Sequence, residues 1–110
     1  MGKRPKFTAA SEEMRRRSTL LAAEVLRWPG TRVGRMFGMQ SLYRGDVIFA
    51  LLPDSRSIWG PNEIAVKDRR LPGADGKKWR AVVVGDDTEW RIALERLDEM
   101  YQVAGTTPLR

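Results

Sequence analysis

The 110-residue chain contains no cysteine and no histidine. Lacking cysteine, it can build no disulfide framework, thiol nucleophile or thiolate metal site. Lacking histidine, it has neither an imidazole base near neutral pH nor a histidine-ligated zinc. Long apolar runs are also missing. The longest, Val47–Leu52, is six residues, whereas a membrane-spanning helix needs roughly 20. The basic start Met1–Lys6 resembles the n-region of a signal peptide, but Glu12, Glu13 and Arg15–Arg17 occupy the place of its apolar segment. A cytoplasmic protein without membrane contact is expected. Gly-rich phosphate loops, dinucleotide fingerprints and the nucleophile-elbow motif are absent as well. No cofactor and no catalytic residue are therefore expected.

What is present is positive charge, unevenly placed. The whole chain carries +6, with residues 1–44 at a net +7 and residues 45–110 at −1. Such asymmetry suits a surface for polyanions, or a basic tail beside a solvated helix face. One domain is expected, since most domains hold roughly 100–150 residues. Residues 1–10 read as a basic arm, 11–105 as the domain and 106–110 as a tail.

Ser11 can cap a first helix, with Glu12 and Glu13 at the positive end of its dipole. Met14, Leu21, Val25 and Trp28 share one face of that helix, and Pro29-Gly30 ends it. The period then changes. Thr31–Phe37, Ser41–Arg44, Val47–Leu52, Glu63–Lys67 and Trp79–Val84 read as strands, with Glu63–Lys67 alternating as a half-buried strand should. A capping box at Asp86 and Glu89 starts a last helix. Its apolar face is Trp90, Ala93, Leu94, Leu97, Met100, Tyr101 and Ala104, and Gly105 then Pro108 stop it. Short links favour hairpins. The expected fold is therefore α+β, an antiparallel sheet of four to five strands flanked by an N-terminal and a C-terminal helix. Val47–Leu52 is apolar in both phases, with Val47, Phe49 and Leu51 expected on one side and Ile48, Ala50 and Leu52 on the other. Ala81–Val84 behaves likewise. Either helices cover both faces or an uncovered face meets a second copy, which makes a homodimer a candidate state.

The adjacent acid pairs Glu12-Glu13, Asp86-Asp87 and Asp98-Glu99 diverge around a helix axis and cannot converge on one substrate atom. Arg15, Arg16, Arg32, Arg35 and Arg44 are the candidate anion or nucleic-acid contacts. Arg17 flanks Met14 and Leu21, where its stem can cover the core edge while its head reaches water. Tyr43 and Trp59 are the candidate exposed platforms for stacking bases. Arg35 stands out because a regular strand would put it in phase with Val33 and Phe37, facing the core, where a guanidinium needs a partner. A structural ion pair, a bulge at Gly34 and an anion site are the three readings of it.

The stretch Arg35-Met36-Phe37-Gly38, followed by Ser41–Arg44, Gly45-Asp46 and Phe49-Ala50, resembles the N-terminal domain of the TfoX/Sxy family. Glu63–Lys67 looks like that domain's next strand, and Trp90–Ala104 is similar to its C-terminal helix. Met39 stands where that family commonly has glycine. The resemblance covers residues 30–104 and implies a small α+β domain of bacterial regulators that act through transcription machinery rather than by catalysis. Full-length members carry a second helical domain, for which this chain leaves no room, so a standalone form is implied. A non-enzymatic, regulatory interaction module with an unidentified protein partner is thus the leading expectation. Direct nucleic-acid binding through the five arginines is the second, and about five phosphate contacts would give a log–log salt slope near −4. A small enzyme using carboxylate or lysine chemistry is the third.

Overall fold

Ser11 does cap the first helix, its hydroxyl accepting the Met14 N–H at 3.0 Å. Helix α1 (Glu12–Val25) buries Met14, Leu21 and Val25, as expected from their spacing, together with Ser18 and Ala22. It ends three residues before Trp28. The Arg27 and Trp28 N–H groups bond the carbonyls of Glu24 (3.1 Å) and Val25 (2.9 Å), which tightens the last turn, and Pro29 has no N–H to continue it. The Thr31 hydroxyl then meets the carbonyls of Val25 (3.0 Å) and Trp28 (2.8 Å). At the other end of the chain, helix α2 (Asp87–Gly105) is capped by Asp86, which accepts from the Glu89 N–H at 2.8 Å. Glu89 accepts the Gly85 N–H at 2.6 Å, one residue before the cap, rather than the Asp86 N–H that a capping box would use.

The structure, a computed structural model, describes residues 8–57, 60 and 62–106. Between the helices lie strands β2 (Thr31–Met36), β3 (Met39–Arg44), β4 (Val47–Pro53), β6 (Glu63–Lys67) and β7 (Trp79–Val83), antiparallel throughout in the order β2-β3-β4-β6-β7. This is the α+β fold expected. Two short strands were not foreseen: β1 (Thr8–Ala9) pairs with β5 (Arg56–Ser57), and the Ala10 N–H bonds the Ser55 carbonyl at 3.2 Å. Residues 8–10, at the end of the basic arm expected over 1–10, are thus paired to residues 55–57. Residues 1–7 and 107–110 lie outside the described residues.

Strand β4 departs furthest from the alternation expected of it. Leu42 faces Ala50 while Tyr43 faces Ile48, so Phe49 is the extra residue of a β-bulge. The bulge switches phase within the strand. Val47, Phe49, Ala50 and Leu52 all join the helix-side core with Leu42, Ile64, Val66, Leu97 and Met100. Ile48 and Leu51 turn the other way, into a second cluster with Met39, Ala65, Met36 and Trp79 to which neither helix contributes. One bulge thus explains an apolar run that simple alternation cannot. In β7, Val82 packs against the helix-side core whereas Val83 is 45% exposed. Strand β6 is also more enclosed than its alternation implies, since Ile64 to Lys67 are all buried. The Lys67 ammonium lies 3.4 Å from Asp75 and 5.8 Å from the centre of the Trp79 ring.

Candidate functional site

Met36 pairs with Met39, so only Phe37 and Gly38 connect β2 to β3. A two-residue hairpin that matches the strands' twist needs positive φ at both positions, and they adopt 56° and 78°. Glycine does this freely. For a bulky aromatic such a backbone is an outlier, costing about 1–2 kcal/mol. Phe37 was expected to continue the strand in phase with Val33; instead it stands at the tip of the turn, 65% exposed. The turn is braced from the β4–β5 loop. The Gly38 carbonyl accepts the N–H groups of Ser55 (2.9 Å) and Arg56 (3.0 Å), and the Ser55 hydroxyl lies 3.4 Å from the same oxygen.

Beside the turn, Asp54 gathers two arginines. Arg35 Nη1 donates to Asp54 Oδ2 at 2.6 Å and Arg15 Nε to Oδ1 at 3.4 Å. Both guanidiniums remain open to solvent, with side-chain exposures of 77% and 54%, while Asp54 is 16% exposed. Arg35 does share the phase of Val33, as expected, but it lies on an edge strand and reaches out to its carboxylate. This is the structural ion-pair reading, at the surface rather than in the core. An exposed pair of this kind contributes at most about 1 kcal/mol, so its effect is chiefly to orient both arginines. Arg16, Arg15, Glu12, Thr19 and Asp54 line an open surface depression of about 330 Å³.

Of the five candidate arginines, Arg15, Arg16 and Arg35 therefore gather at this end. Arg32 and Arg44 do not. Arg32 lies on the opposite face of the sheet, its Cζ 4.1 Å from the centre of the Tyr43 ring and its Nε bonded to the Gly45 carbonyl at 3.2 Å. That contact also covers one face of Tyr43, an expected stacking platform. Arg44 serves the fold: it lies 4.1 Å over the Tyr101 ring and donates to the Tyr101 carbonyl at 3.1 Å, near the end of α2. Arg17 covers the core edge as its position suggested, yet its head is bound, to the Val84 carbonyl (3.1 Å) and to Glu13 (2.8 Å). Trp59 lies outside the described residues.

The exposure of Phe37 and the pairing of Asp54 with Arg35 are not among the features expected from the sequence. Both signals were present, a Phe-Gly step between two strands and an aspartate following Pro53 in a turn.

Acids and bases meet again across α2. Arg70 grips Asp68 with Nε (2.8 Å) and Nη2 (2.9 Å) and reaches Glu99 at 2.7 Å, and Arg96 joins Glu99 at 3.3 Å. The hydrogen bonds from Arg70 hold the carboxyls of Asp68 and Glu99 below the usual range and raise Arg70 itself. Folded-state values below the unfolded ones mean that this stabilisation is complete above the ordinary carboxylate range and fades as pH falls through the lower folded values. We expect the thermal midpoint to drop as pH falls below about 5, and the drop to be shallower in Arg70→Met; equal slopes would remove the network from the pH response. The effect is modest, because these groups lie at the surface.

Among the described residues, no three acids cluster as a metal site requires, and no helix is long and apolar enough to cross a membrane. Fold and site together define a two-layer α+β domain that presents a braced aromatic turn flanked by arginines. Comparison with family models, with curated protein sequences and with solved structures returns no match.

Proposed function

We propose that the chain is a non-enzymatic interaction module of the TfoX/Sxy N-terminal type, which works by seating the Phe37 turn in a pocket of a partner protein. The observation that carries this reading is the exposure of Phe37 on a backbone that aromatic residues avoid. Strain of this kind is retained where the surroundings over-determine it, which is characteristic of binding sites. Aromatic and arginine side chains are also the types that dominate binding energy at protein interfaces, and Arg35 stands two residues away. The stretch Arg35–Gly38, on which the family resemblance chiefly rests, is this turn. A regulatory role in a bacterial cytoplasm follows from that resemblance.

A photocrosslinking amino acid placed at position 37 in living cells tests the reading. It should yield discrete protein adducts that the same group at Leu20, an exposed position on α1, does not. Identical patterns from both positions, or no adducts from position 37, would sink it.

Polyanion binding is the second reading, favoured by Arg15, Arg16 and Arg35 sharing one end of the molecule. Three phosphate contacts correspond to a log–log salt slope of about −3 on duplex DNA, shallower than the five-arginine value. Anisotropy titrations at low salt decide it, since no binding there removes it.

A further inference from the structure

Strand β7 forms the edge of the sheet opposite β2. The Val84 N–H bonds the Asn62 carbonyl (2.8 Å) and the Lys78 carbonyl accepts the Asp68 N–H (2.8 Å). In an antiparallel ladder the bonding groups alternate along the strand. Val82 and Arg80 thus face β6, and the N–H and C=O groups of Trp79, Ala81 and Val83 point away from the sheet. Both ends of this edge are closed. Arg80 caps the Trp79 carbonyl at 3.1 Å, and beyond the strand Glu89 takes the Gly85 N–H at 2.6 Å. What stays open is Ala81 and Val83, whose four backbone groups have no hydrogen-bond partner among the described residues.

The side chains there are uncharged and exposed. Ala81 is exposed, Val83 is 45% exposed, and Ile92 on α2 is 47% exposed. Ile92 lies one turn before Arg96, which lines the groove over β7 with Arg80 and Val82. Open apolar edges of this kind template further strand pairing unless charge, proline or a bulge blunts them. The β2 edge is blunted by Arg32 and Arg35. Within β7, Ala81–Val83 has no such residue.

Charge on either side of the open segment selects the occupant. Lys77 and Lys78 precede the strand and Asp86 and Asp87 follow it. Lys77, Lys78 and Asp87 have no ion-pair partner among the described residues. We infer that the β7 edge is the interface of a two-fold homodimer, in which Ala81 of one copy pairs antiparallel with Val83 of the other about Val82. In that register the open groups form four interstrand hydrogen bonds, and the antiparallel arrangement brings the Lys77–Lys78 end of one strand towards the Asp86–Asp87 end of the other. The interface is self-complementary, as two-fold symmetry requires. It also keeps the Phe37 turns, on the two outer strands of a continuous ten-stranded sheet, away from the interface. With so few residues paired, the dimer is a weak one.

Two measurements test this. Sedimentation velocity from about 1 µM to 1 mM should show a reversible monomer–dimer equilibrium, weakened by salt as exposed charge pairs are. Ala81→Pro removes an outward N–H without touching the β6 ladder, and two such losses per dimer should weaken association about 30-fold. The second measurement uses the absence of native cysteine and does not depend on the proline variant folding. Facing Val82 residues in a non-hydrogen-bonded pair have Cα atoms about 4.5 Å apart, within disulfide reach. Ala81 and its symmetry mate lie roughly 7–8 Å apart, too far. Val82→Cys should therefore oxidise to a covalent dimer under mild conditions and Ala81→Cys should not. A monomer throughout the concentration series, or equal crosslinking of the two cysteine variants, would overturn the proposal.

Discussion

Replacing Phe49 with alanine is expected to remove about 4 kcal/mol of folding stability, the range for deleting a fully buried phenylalanine. Phe49 has no exposed surface and meets the Tyr101 ring edge-on at a centroid distance of 6.0 Å. Tyr101 is in turn tied to the Pro29 carbonyl by its hydroxyl (2.6 Å) and to the Trp28 ring at 5.2 Å. The cavity thus opens where the sheet, the end of α1 and the end of α2 come together. These neighbours cannot close it, because each is anchored elsewhere. Against a total stability of about 5–15 kcal/mol for a domain of this size, Phe49→Ala should be partly unfolded near 37 °C. Urea titration monitored by tryptophan fluorescence measures the loss; a change below about 1 kcal/mol would mean that the bulge does not direct Phe49 into the core.

The second large effect is expected at Gly38. Its φ of 78° disfavours any side chain, and an added Cβ would lie 2.7 Å from Arg56 Cγ and 2.8 Å from Ser55 Oγ. Backbone strain alone costs about 1 kcal/mol, and displacing the bracing loop brings Gly38→Ala to roughly 2–3 kcal/mol. Gly45 provides the control. It has a similar φ of 61° but open space around the missing Cβ, so Gly45→Ala should lose only about 1 kcal/mol. Thermal melts of the two variants separate strain from crowding, and equal losses would remove the bracing contact from the account.

The helices and the antiparallel sheet were legible in the sequence because each depends on local spacing. Caps at Ser11 and Asp86 and a 3.6-residue stripe specify a helix almost without reference to the rest of the chain. The bulge at Phe49 was not legible. Both phases of Val47–Leu52 are apolar, so neither side chain pattern nor turn chemistry reveals the extra residue; only the pairing with β3 does. The candidate site was half legible. Arg35 was recognised as needing a partner, but Asp54 is 19 residues away and is brought to it by the β3–β4 excursion. Arg44 could not be told from a surface cation, because the Tyr101 ring and carbonyl that hold it come from the far end of the chain.

In the proposed function the molecule acts through contact made by the Phe37 turn. Once a partner has been captured from position 37, its dissociation constant should be measured by calorimetry for the native chain, Phe37→Ser and Arg35→Ala. A hot-spot aromatic is worth at least about 2 kcal/mol, so Phe37→Ser should bind about 30-fold more weakly with its thermal midpoint unchanged or raised. Arg35→Ala should weaken binding less. Equal affinities for the native chain and Phe37→Ser, with both folded, would contradict the claim.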